Sequence, residues 1–193
     1  MKFCAANYTS SCAKWLRGTE GIPNDEMIYS MIWNESTLPF PRGRASGSVS
    51  AGPTGPQDWG WNNDGSSGDW YMGHEVGHNV GRNHPSQGNA CGHSASDNNF
   101  PHAGAAIGVG SVWGFDVGDI GLNNALTPRV YPNTTWRDMM SYCDNQWISD
   151  YTNDGIFDFL ATAQASRTDE TRAVSPGDAY IALFGTIYDE DDT

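Results

Sequence analysis

Lysine is nearly missing from this 193-residue chain: only Lys2 and Lys14 occur, and the formal net charge is −13. A surface of that sign repels phosphate backbones, so nucleic acid is not expected as a partner. No run of about eighteen apolar residues occurs, so no membrane span is expected either. The first residues, "MKFCAANYTSS", lack an apolar core segment, so no signal peptide is read in them. The chain therefore reads as a mature fragment or one whose true start lies upstream. Glutamate is scarce as well, with 6 against 17 aspartates. That bias fits a solvated acidic exterior, a high-salt habitat or bound Ca2+, which composition alone does not separate.

The four cysteines, Cys4, Cys12, Cys91 and Cys143, form no C-x-x-C pair. An even count without metal-type spacing reads as two disulfides in an oxidising, extracellular compartment, with three connectivities open. Three N-x-S/T sequons stand at Asn7, Asn34 and Asn133. Apolar residues make up 38 % of the chain, with 8 Trp, 8 Tyr and 7 Phe, enough for a packed domain rather than a disordered chain.

Periodicity and turn chemistry place the elements. "AKWLR" at 13–17 is helical, and "MIYSMIW" at 27–33, apolar on both faces, reads as a central strand. A Gly/Pro/Ser stretch, 39–68, reads as loops, with Ala45–Ala51 as an exposed edge strand. A helix is expected from Trp70 to about Val80, N-capped by Asp69, with Met72, Val76 and Val80 facing the core. Residues 85–135 are mostly irregular, "AAIGVGSVWGFDV" being the most extended piece. A second helix is expected over Ser149–Ala165, burying Ile156, Phe159, Leu160 and Ala163. This fold class is α+β in the broad α/β sense. Residues 1–172 read as one domain. "VSPGD" then marks a boundary, so 173–193 reads as a linker and the first strand of a following β domain.

Residues 74–84, "HEVGHNVGRNH", hold three of the five histidines and one of the six glutamates. Residues four apart share a helix face, so one helix presents His74 and His78 together. Gly81 suits the left-handed residue that ends a helix and turns the chain back, bringing His84 to the same place. Three neutral imidazoles leave a fourth tetrahedral position open, the mark of catalytic rather than structural Zn2+. Such an ion brings a bound water toward a pKa of about 7, and Glu75 is placed to take its proton. A closed structural site would need a fourth ligand, for which His93 and His102 are the candidates.

The H-E-x-x-H-x-x-G-x-x-H pattern resembles the metzincin clan of zinc endopeptidases. "DMMSYC", whose Met140 stands 56 residues past His84, looks like the methionine-containing turn of that clan. The alignment makes Met140 the turn methionine and Tyr142 the tyrosine of the astacin and serralysin branches. Met139 is the alternative, without the M-x-Y spacing. Asp138 departs from the usual Ser, and the region before the helix is short for the clan. Pro85 after the third histidine differs from the archaemetzincins. A Cys after each motif is most similar to secreted bacterial and archaeal members of reprolysin or astacin/serralysin type. The resemblance implies a twisted mixed sheet, an active-site helix, a C-terminal helix, and zinc in a cleft above the methionine turn.

It also implies a secreted endopeptidase acting on protein or peptide through a zinc-activated water, with Glu75 as general base and then acid. Tyr142 would stabilise the transition state, and the wall after the turn, including Trp147, would shape specificity. A disulfide between Cys91 and Cys143 would tie the two motif segments together, leaving Cys4 with Cys12. The competing reading is a catalytically silent zinc-binding module that recognises a protein or glycan, against which the intact Glu75 argues. A calcium-dependent adhesion domain, suggested by "DYTNDGIFD" at 150–158, is weaker still, since that stretch also reads as the start of a helix.

Overall fold

A computed structural model of the chain describes residues 9–33, 43–54, 68–86, 91–92, 96–117 and 128–167. The first helix, α1 (Thr9–Glu20), extends the predicted turn in both directions. It buries Ala13 and Arg17, and the Arg17 guanidinium donates to Ser48 Oγ at 2.6 Å and to the Glu26 carbonyl. That guanidinium ties the helix to the hairpin turn of the sheet beside it.

Strands β1 (Ile28–Trp33), β2 (Arg44–Ser46) and β3 (Val49–Thr54) form a mixed sheet in the order β1-β3-β2. β1 runs parallel to β3, while β2 and β3 make an antiparallel hairpin. Two expectations are overturned here. "MIYSMIW" forms an edge rather than the centre, and its Met31 is 65 % exposed. Ala45–Ala51, read as one exposed edge strand, is a hairpin instead: Ala45 and Ser46 lie in the edge strand β2, but Val49, Ser50 and Ala51 belong to the central strand and are all buried. The physical reason is the helix above. At Gly52 a side chain would collide with Tyr29 and press on Tyr71, so only small residues let a helix lie that close.

That helix, α2 (Gly68–Asn79), packs on β3. It starts before the expected cap, so Asp69 lies within the helix rather than at its cap. The expected apolar stripe is also corrected: Val80 is buried, Met72 and Val76 are half-buried, and Tyr71, His74 and Glu75 are buried instead. The helix is covered on two sides, by the sheet and by the segment around Met140, so no single stripe marks its buried face.

Downstream, a short 3-10 turn (Ala103–Ala105) precedes β4 (Gly114–Asp116), the only strand within "AAIGVGSVWGFDV". β4 pairs antiparallel with β5 (Arg129–Tyr131). β6 (Arg137–Asp138) and β7 (Gln146–Trp147) pair parallel and bracket the turn between them. α3 (Asp150–Arg167) closes the described region, with Ser149 Oγ accepting the Thr152 N–H at 3.0 Å as its cap. Its expected apolar stripe is not buried: Phe159 is 38 % and Leu160 43 % exposed, and Ile156 and Ala163 are half-buried. Only its first turn is enclosed, through Thr152 and through Tyr151 packed on Phe100, Ala105 and Cys143.

The whole is α+β with small mixed sheets. The expectations for Asn7, Asn34, the Cys4–Cys12 pair, His93, most of 39–68 and the strand in 173–193 lie outside the described residues and side chains. Asn133 does not: its side chain is buried and donates to the Gly110 and Val112 carbonyls, so this sequon's amide is already engaged.

Candidate metal centre and active site

On α2 the four-residue spacing puts His74 and His78 on one face, their rings 4.8 Å apart. Gly81, at φ +81°, ends the helix in the left-handed region, and Arg82 N–H then bonds back to the Gly77 carbonyl at 2.8 Å. That reversal delivers His84. Its own carbonyl accepts from Ser96 and Asp97 N–H at 3.1 and 2.8 Å, which fixes the backbone of the third histidine.

The imidazoles are oriented from behind. His74 Nδ1 lies 2.7 Å from the Met139 carbonyl and His78 Nδ1 lies 2.8 Å from the Arg82 carbonyl. A carbonyl oxygen only accepts, so each Nδ1 carries the proton and each Nε2 presents a bare lone pair. Burial lowers the His78 pKa, partly offset by its bond to Arg82, and this favours the neutral ring. His84 Nε2 sits 3.3 Å from that of His74 and 3.0 Å from that of His78. With the His84 Nε2 unprotonated as well, three lone pairs face one another and repel. A cation at their meeting point converts that repulsion into ligation, so the three residues fit a metal, with zinc first by donor type. His102, the alternative fourth ligand, is engaged elsewhere: its Nε2 lies 2.5 Å from Asp150 Oδ1.

Glu75 is only 7 % exposed, and burial pushes its carboxyl pKa up to about 7. A carboxylate of that basicity takes a proton near neutral pH, where an exposed one does not. Tyr142, 41 % exposed, stands beside the histidines, its ring 5.0 Å from that of His84 and 5.6 Å from that of His74. Met140 is fully buried, and its sulfur fills the space that a side chain at Gly77 would need. Trp147 is half-buried against Tyr131 and Trp70, at ring distances of 4.7 and 6.1 Å, next to the start of α2. Cys91 and Cys143 are joined in a disulfide, which links the chain after His84 to the residue after Tyr142.

Asp138 enters the sequence reading only as a departure, yet it organises this turn. Fully buried, it accepts Met140 N–H at 2.7 Å on Oδ1 and Ser149 N–H at 3.1 Å on Oδ2, so one side chain holds both ends of the segment. Burial pushes its pKa up against these hydrogen bonds. Asp138→Asn keeps one acceptor oxygen for two N–H groups and should cost roughly 1–3 kcal/mol, read as a lower urea midpoint at unchanged m. The raised pKa means the wild type is favoured by this group most below the unfolded carboxyl pKa. That advantage is given up as pH rises through the folded value, so the deficit of the variant should be largest in acid. A deficit that grows with pH would contradict this account.

A three-histidine group able to hold a metal, beside a buried carboxylate on the same helix, belongs to the metallopeptidase class. The model of the family described as Peptidase M66 matches residues 51–154, from β3 into α3, which is more than half of the chain and spans all of these residues. The chain belongs to the peptidase M66 family. Neither the curated proteins nor the solved structures give a match.

Proposed function

We propose that the chain is an extracellular zinc-dependent endopeptidase of metzincin type. The observation that carries this reading is the convergence of three Nε2 atoms, two of them on rings whose Nδ1 protons are committed to carbonyls, beside a buried glutamate. His74, His78 and His84 would hold the ion, and zinc there supplies Lewis acidity to water and to the scissile carbonyl. Glu75 takes the proton of the attacking water and hands it to the leaving amine. The phenol of Tyr142 donates to the oxyanion that develops on the carbonyl. An extended substrate pairs with the outer edge of β2, the strand that starts after Gly43 beside Glu75. Met140 is the turn methionine in this reading, 1–172 the catalytic unit, and the Cys91–Cys143 bridge supports an oxidising compartment.

Purified protein should carry about one zinc per chain through three protein ligands and should cleave casein or gelatin. A chelator should abolish cleavage, and added zinc should restore it. Full cleavage in metal-free protein would end the zinc reading. Zinc-loaded protein that cleaves no unfolded polypeptide would point instead to the binding module.

A further inference from the structure

We propose that Gly43 is a positioning residue for Glu75: its missing side chain leaves the space that the Glu75 carboxylate occupies, and so fixes where the base stands. This rests on the reading of Glu75 as general base.

Gly43 immediately precedes β2, at the start of an outer edge of the described sheet. A Cβ at this position would fall on three Glu75 atoms, Oε1, Cδ and Cγ, the last two at 2.7 Å. No other side chain or backbone is nearer. The backbone of Gly43 is not in the left-handed region, unlike Gly47 at φ +66° or Gly81 at φ +81°. Glycine is therefore not required here for conformation, and close approach to Glu75 is what remains. Gly77 differs, because the atom in its way is the sulfur of fully buried Met140, a matter of packing.

The two collisions have different outcomes. Glu75 is a long side chain whose terminal atoms can swing aside, so alanine at 43 should cost little in folding. The swing moves the base, however, and about 1 Å of misplacement costs a catalytic group roughly 10²-fold.

Gly43→Ala should lower kcat roughly 10- to 100-fold, with KM, zinc content and Tm close to wild type. Its crystal structure should show the Glu75 carboxylate turned aside and the three histidines in place. Glu75→Asp withdraws the carboxylate by one methylene, about 1.5 Å. In that background Gly43→Ala should cost less than about threefold, the non-additivity of two groups in contact. An equal loss in both backgrounds, or an unmoved carboxylate, would overturn the proposal. So would a Gly43→Ala protein that fails to fold even with Glu75→Asp, since the glycine would then serve the fold. If Gly43→Ala folds only with Glu75→Asp, the collision is with Glu75 as proposed. Activity surviving in Glu75→Ala would sink the base assignment itself. An inactive Glu75→Ala with a fully active Gly43→Ala would sink this inference alone.

Discussion

Glu75→Ala should bind zinc as the wild type does and lose roughly 10²- to 10⁴-fold in kcat, the span that general acid–base groups contribute. Metal and mechanism separate cleanly here. The His74 and His78 imidazoles are held from behind by the Met139 and Arg82 carbonyls, and neither contact involves Glu75. Metal analysis together with turnover on an unfolded protein substrate decides the matter. Undiminished turnover would remove Glu75 from the chemistry, and lost metal would make it a structural partner of the site. A second readout follows from its burial. In metal-free protein a carboxyl raised from 4.5 to about 7 favours the fold below the unfolded pKa, and that contribution is lost as pH rises through 7. The alanine variant should lack this slope in a denaturation series.

Tyr142→Phe should lower kcat roughly 10- to 1000-fold, the cost of removing one donor to a developing oxyanion. KM should change little, because the bond is made mainly in the transition state. Stability should also change little, since the ring is 41 % exposed and only a hydroxyl is removed. The neighbouring disulfide at Cys143 restrains the backbone beside it, so the phenyl ring of the variant should keep its place near His84. Unchanged kcat with a lower melting temperature would make Tyr142 a packing residue. The histidine group would stand regardless.

What was legible in the sequence was local. Ligand spacing on one helix, the reversal at Gly81 and the return of His84 all follow from residues within eleven positions. The strand order was not legible, because the place of β3 at the centre depends on small residues meeting a helix twenty positions on. Asp138 reads in the sequence only as a mismatch, since one of its two acceptor oxygens finds its partner at Ser149, across the turn. Gly43 reads in the sequence as one more residue of a Gly/Pro/Ser loop stretch, since its meaning lies in Glu75, 32 positions later. The stripe on α3 shows the converse: a correct helical pattern does not ensure a surface to cover it, and Phe159 and Leu160 remain half in solvent.

The two carbonyls behind His74 and His78 bear on how this site tolerates change. A carbonyl oxygen belongs to every residue, so no substitution at 82 or 139 deletes it. The identities of Arg82 and Met139 can drift while the imidazoles keep their tautomers, provided that the backbone path is kept. Variation at these two positions among relatives would therefore say little about activity. Insertions or deletions between 78 and 84, or around the turn at 138–143, would say a great deal.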